Sequence, residues 1–296
     1  MTGLSAIFAP GFFSNPAVHT ALVVGGVVAV VSAIVGTFTV MRGQSFAGHS
    51  LADVGTAGGS AAFLAGVPAL YGFVAFNVGA AAVMDLIGIR RPRGRDLATG
   101  IVLGASLGLA ALFLYEDSVS TSTSSATVTV LFGSIFTLST PVAVVVGVSV
   151  IAAGLVAVLY RPLLLSTVSP DLAAARGVRI RLVGIGYLLA LAVAVSLSAI
   201  TIGAILSTAL LIGPAATALR LARRTGLAMA LAAVIGVIAV WLGILLAYDS
   251  ATWTSGGQGW PVSFFVVAVV WAFYLLALLA GTRRDRGAGF AHEGSA

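Results

Sequence analysis

Residues 140–161 read TPVAVVVGVSVIAAGLVAVLYR, an unbroken apolar run closed by Arg161. A helix needs about 20 apolar residues to cross a hydrocarbon core about 30 Å thick, and this run supplies them. Comparable runs recur at 18–41, 46–66, 68–89, 97–115, 182–199, 201–219, 226–247 and 262–281. Their apolar residues are contiguous rather than alternate, which excludes a membrane β-barrel. The expected fold class is therefore all-α: a polytopic transmembrane helical bundle of about nine spans, with seven to nine as the range.

Composition agrees. The chain is 59% hydrophobic and 8% charged, against roughly 25% charged in a soluble domain, and its mean hydropathy is +1.12. No cysteine is present, so disulfides, thiolate metal sites and thiol redox chemistry are excluded. All 15 basic residues are arginines, and they give a net charge of +6. They fall between the spans, as topology signals rather than as a nucleic-acid surface. Arg42 follows the first span; Arg90, Arg91, Arg93 and Arg95 follow the third; Arg161, Arg176, Arg179 and Arg181 separate the fifth and sixth. Arg220, Arg223 and Arg224 follow the seventh, and Arg283, Arg284 and Arg286 the last. If every segment crosses, all of them lie on one side, which the positive-inside rule makes the cytoplasm. The opposite side receives Glu116, Asp117, Asp249, Trp253 and Trp260.

Within that frame the expected organisation is an extracytoplasmic segment at 1–17, a membrane domain at 18–281 and a disordered cytoplasmic tail at 282–296 that includes His292 and Glu293. The N-terminus lacks the basic start of a cleavable signal, so the first apolar stretch reads as a retained span. The Ser/Thr-rich residues 118–127 read as a polar external loop. The junction Ser196 to Gly203 is too short and apolar for an ordinary loop and reads as a broken helix lining a cavity. Small residues Gly55, Gly58, Gly59 and Ser60 let helices approach closely.

One pair of ionisable residues interrupts the apolar pattern. His49 and Asp53, in Gly48-His49-Ser50-Leu51-Ala52-Asp53, share one helix face a turn apart. A rise of about 1.5 Å per residue from Arg42 puts Asp53 roughly 16 Å into the membrane. An uncompensated carboxylate at the midplane costs about 2.5–3.5 kcal/mol, so a partner, a watery cavity or a substrate path is expected. Imidazole with carboxylate is a ligand pair for a divalent transition metal; the bland alternative is a His and an Asp that bond only each other. The remaining acids are less informative: Asp85 and Asp96 flank the arginines at 90–95 and are expected to pair with them, and His19 is expected at the outer interface. With no phosphate-loop motif, no zincin pair and no second carboxylate near the first, an enzyme is not expected.

The longest cytoplasmic segment contains Ser169-Pro170-Asp171-Leu172-Ala173-Ala174-Ala175-Arg176-Gly177. Ser169 suits a helix cap, Pro170 the first turn, Asp171 the positive end of the dipole and Gly177 the stop. It reads either as a connector on the membrane or as a docking helix for a cytoplasmic protein. Since the chain has no nucleotide-binding motif, active transport would draw on a partner or an ion gradient.

Several segments together resemble the permease subunit of the manganese/zinc/iron-type metal ABC importers. Val195-Ser196-Leu197-Ser198-Ala199 with Ala209-Leu210-Leu211-Ile212-Gly213-Pro214-Ala215-Ala216-Thr217-Ala218 is similar to that family's VSLQAVG…ALLIAPAATA. Asp96-Leu97-Ala98-Thr99-Gly100-Ile101-Val102 resembles DTAIGIV, and Leu131-Phe132-Gly133-Ser134-Ile135 resembles LFGNIL. Tyr160-Arg161-Pro162-Leu163-Leu164-Leu165-Ser166 with Ser169-Pro170-Asp171-Leu172-Ala173 resembles YRELLLVSFDPELA, with Pro162 replacing an acid. The family's GDALSHA places Asp before His; here His49 and Asp53 keep the spacing but exchange order.

The resemblance implies a permease through which a divalent metal passes at His49 and Asp53, with zinc favoured and manganese or iron as the alternatives, and with no cofactor. It implies two permease copies, a cytoplasmic ATPase that docks on the coupling helix carrying Ser169, Pro170, Asp171, Ala174 and Gly177, and an extracytoplasmic metal-binding protein, all at a bacterial plasma membrane. A proton-coupled secondary transporter with Asp53 as the proton carrier, or a non-transporting scaffold, are the rival classes.

Overall fold

Each long apolar run forms a helix, and the residues that meet fix how the helices alternate in direction. The computed structural model describes residues 11–87, 92–121, 125–138, 140–253 and 259–293. A 3-10 turn at Phe12–Ser14 leads into α1 (Pro16–Met41), α2 (Ser45–Leu64), α3 (Ala69–Ile87), α4 (Pro92–Thr121), α5 (Ser125–Phe132) and α6 (Val142–Val168). Then follow α7 (Pro170–Ala175), α8 (Ile180–Ile202), α9 (Ala204–Leu221), α10 (Thr225–Ser250) and α11 (Val262–Glu293). Among the described residues there is no strand. The expected spans correspond to every helix except the short α5 and α7.

Seven of the helices are long and apolar enough to cross a membrane on those grounds alone. The two expected spans that fall short are α3, with a shorter apolar stretch at Ala69–Asp85, and α2. The reason is visible in the packing of α2: Leu51, Ala52, Val54 and Ala57 are buried among other helices, and so are Ser50, Thr56 and Ser60. A helix wrapped in protein is under no pressure to be apolar all round.

Hydrogen bonds set the directions. Ser32 on α1 lies 2.8 Å from Ser198 on α8, and the Tyr187 hydroxyl donates to Thr39 at 2.8 Å, so α8 runs antiparallel to α1. Asn77 on α3 donates to Ser196 at 2.9 Å, fixing α8 on its other side. Interhelical bonds of this kind are worth about 0.6 kcal/mol each on average. α1 and α8 form the buried centre, whereas α4, α6 and α11 turn most of their surface outward. Exposed Val150, Ile151 and Val158 on α6 and Leu276 and Leu279 on α11 give the periphery the apolar character that lipid requires.

Glycines bring backbones together where the sequence suggested. A Cβ on Gly58 would overlap the Gly72 carbonyl, one on Gly72 would overlap that of Gly58, and the Phe73 ring lies against Gly55 and Gly59. α2 and α3 therefore meet in backbone contact.

The 196–203 junction is a broken helix, with the break narrower than the sequence suggests. α8 stays helical through Ile202, with the hydroxyls of Ser196, Ser198 and Thr201 donating to carbonyls of the preceding turn. The break is one residue, Gly203, at φ +88. Gly133, at φ +83, packs on it: a Cβ there would lie 2.6 Å from the Gly203 nitrogen. Ser134 N–H donates to the Ile200 carbonyl at 3.3 Å, and the Ile135 side chain reaches Gly25 of α1. This irregular backbone is enclosed by protein, the condition under which membranes tolerate it. It borders a cavity of about 20 Å³, lined in part by Ser134, Thr140 and Ile200.

Residues 118–127 are also not a simple loop. α4 runs on to Thr121 and α5 begins at Ser125; the Ser/Thr content misleads because Ser and Thr bond back to helical carbonyls, as Ser120 does to Asp117. α11 continues through Glu293, past the expected boundary at 281, and 294–296 lie outside the described residues.

Candidate functional site

Two places in this framework have chemistry to offer. The first is the open face of α2. His49 Nε2 lies 3.6 Å from Asp53 Oδ2, the i,i+4 spacing made real. That separation is too long for a hydrogen bond. The imidazole is half exposed and the carboxylate about one-fifth exposed. Phe46, a turn before His49, is exposed too. From Ala47 to Ser60 every residue of the helix except His49 and Asp53 is buried, so these two mark its most open face. Asp53 stands about 12 Å along the axis from Ser45 and His49 about 6 Å.

Among the described residues no group of three His, Cys, Asp or Glu side chains comes together. One chain thus offers one nitrogen and one carboxylate, short of the four ligands a tetrahedral site takes. An apolar groove of about 500 Å³ lined by residues such as Ile205, Ile212, Val270 and Trp271 has no carboxylate or imidazole in its wall.

The second place is α7. The Ser169 side chain accepts from Leu172 N–H at 3.4 Å, Pro170 opens the helix and Asp171 sits in its first turn. At the other end Gly177, φ +77, donates to the Ala174 carbonyl at 2.9 Å, and Val178 N–H donates to Ala173 at 3.0 Å. This pair of bonds is a Schellman stop, which a left-handed glycine permits. Ala173 is buried, while Asp171, Leu172 and Ala174 face outward. Six residues would make a marginal helix alone; caps at both ends and the buried Ala173 hold it in place.

The other candidates are placed as follows. Asp85 pairs with Arg181 at 3.4 Å, where α3 ends and α8 begins; its expected pairing with the arginines at 90–95 lies outside the described residues. The Asp96 side chain lies outside the described residues. His19 Nε2 lies 2.7 Å from the Phe13 carbonyl, at the exposed entrance to α1. Asp117 and Asp249 sit near the C-terminal ends of α4 and α10, and both are buried. Sequence reasoning treated Arg42 only as a topology charge. Its guanidinium lies over the Tyr187 ring, 5.1 Å from the centroid. The available signal was a tyrosine within an otherwise apolar span, a residue that needs a polar partner when buried.

The fold is shared with known proteins. The manganese import system permease protein ScaB of Streptococcus pneumoniae is 31% identical over 238 residues, covering 80% of this chain and 82% of that protein. The manganese transport system membrane protein MntC of Listeria innocua is 27% identical over 243 residues, covering 82% and 85%. The solved structure of PsaBC from Streptococcus pneumoniae in complex with Fab superposes with a TM-score of 0.76 at 25% identity, over 90% of this chain and 92% of that one. This is a multi-pass protein of a bacterial plasma membrane and not itself an enzyme, ATP hydrolysis belonging to a separate subunit. The ABC 3 transport family matches residues 14–280, nearly the whole helical bundle, and the chain belongs to that family as a permease subunit.

Proposed function

We propose that this chain is the permease of an ATP-driven manganese importer and that the metal passes His49 and Asp53. The observation that carries the reading is the partly open face of α2, where the only intramembrane His–Asp pair among the described residues has its imidazole half exposed and its carboxylate about one-fifth exposed. A second copy facing the first across this surface would double the donor set to two imidazoles and two carboxylates. That set suits manganese, which takes oxygen and nitrogen ligands. Zinc binds such donors more tightly than manganese in general, so selection would rest on geometry and supply. The manganese named for ScaB and MntC moves the assignment away from the zinc favoured by the donor set alone. The ATPase would dock on the outward face of α7, at Leu172 and Ala174, and an extracytoplasmic metal-binding protein would deliver the ion from the other side.

The test is reconstitution with the ATPase in vesicles and radioactive manganese uptake against competing zinc and iron. The reading predicts ATP-dependent uptake that survives collapse of the proton gradient, with manganese the preferred ion. Uptake that needs the gradient and not the ATPase would assign the chain to the secondary transporters, and zinc preference would overturn the metal.

A further inference from the structure

We propose that Arg42 is a positioning residue that carries movement of α7 to the helix bearing His49 and Asp53. This rests on the proposed roles of α7 and of that pair. Arg42 closes α1, its backbone N–H donating to the Phe38 carbonyl at 2.9 Å. Its Nη1 donates at 3.4 Å to both Ser166 Oγ and Thr167 Oγ1, in the last turn of α6. Ser169, the cap of α7, follows two residues after Thr167. The same guanidinium covers the ring of Tyr187, on α8, the helix that leaves α7 on its far side. Arg42 therefore touches both arms that hold α7.

On its other side Arg42 is joined to α2 through a tight turn. Gly43 N–H donates to Val40 and Gln44 N–H to Thr39, at 3.1 and 2.9 Å, and Gly48 N–H donates back to Gln44 at 3.1 Å. Thr39 is also the residue whose hydroxyl accepts from Tyr187. α1 and α2 share little other contact, so this turn is their mechanical link. His49 follows one residue after Gly48. Displacement of α6 and α8 by a docked ATPase would pull on Arg42 and Thr39 and, through Gln44, on the start of α2.

The turn also contains an unsatisfied group. Gln44 is buried, and its Oε1 has no hydrogen-bond partner. A buried acceptor left unpaired is costly, and a second arrangement of the turn could pair it.

The experiment uses the permease reconstituted with its ATPase and reads manganese accumulated per ATP hydrolysed, manganese binding by equilibrium dialysis, and co-purification of the ATPase. Arg42→Ala should lower the transport ratio at least tenfold, while manganese binding and ATPase binding stay within twofold. Arg42→Lys should recover part of the ratio, because an ammonium keeps donors but loses the planar stacking on Tyr187. Ser166→Ala with Thr167→Val, which leaves Arg42 in place, should lower the ratio in the same direction. A normal ratio in Arg42→Ala overturns the proposal. So does loss of binding or assembly in Arg42→Ala with a normal ratio in the Ser166/Thr167 variant, because Arg42 is then only a structural clamp. Ala174→Asp separates the underlying reading: if it transports normally, α7 is not the docking helix and the proposal falls with it; if it uncouples while Arg42→Ala does not, the relay alone is wrong.

Discussion

α6 and α2 both cross the bundle, yet they obey opposite rules. α6 is the most apolar of the long helices, with a mean hydropathy of 2.9 and little of its apolar stretch buried, and Val150, Ile151 and Val158 face outward. α2 is less apolar, most of its residues are buried, and it presents His49, half exposed, and Asp53, about one-fifth exposed, on its most open face. Enclosure alone does not make a helix polar, since α1 and α8, the buried centre, keep mean hydropathies of 2.4 and 2.2. What sets α2 apart is that its enclosed faces are built largely from small residues and its most open face carries His49 and Asp53.

Substitutions can break that contrast. The largest effect is expected at Gly58, where a side chain would collide with the Gly72 backbone. Gly58→Leu should lose about 3 kcal/mol or more, because a carbonyl cannot swing aside as a side chain can. Val158→Ala on the exposed face of α6 should stay within about 0.5 kcal/mol. Thermal unfolding of the two proteins in detergent compares them, and a Gly58→Leu protein as stable as the native one would remove the close-packing explanation for α2. Next comes Gly177→Val, which should cost about 1–2 kcal/mol at a left-handed position and weaken ATPase co-purification without altering span insertion. Undiminished co-purification would make α7 a mere connector. The smallest change is expected from Ser198→Ala, which removes the bond to Ser32; about 0.6 kcal/mol is the expected loss, and a loss several times larger would mean that the α1–α8 centre is held by polar bonds rather than by packing.

The same contrast explains what was legible in the sequence. Helices that face lipid announced themselves through continuous apolar runs, and the arginines oriented them. The caps of α7 were readable because they are local: Ser169, Pro170 and Gly177 act within a few residues of where they stand. The non-local features were not. Asp85 bonds Arg181, 96 residues further along the chain, and α5 is held by its meeting with Gly203, which no periodicity reports. At the site, spacing placed His49 and Asp53 on one face, but nothing in the sequence indicated that this face would be the most open one. The order of the pair, exchanged relative to the family's pattern, changes which ligand lies deeper and leaves both present.

The most direct test of the account is manganese uptake by Asp53→Ala and His49→Ala in vesicles that also contain the ATPase, with membrane insertion and ATPase binding measured alongside. Each variant should insert and bind its ATPase normally while ATP-driven uptake falls at least tenfold, with Asp53→Ala the more severe because it removes the charged donor. Near-normal uptake by Asp53→Ala would contradict the assignment of the open face of α2 as the metal path.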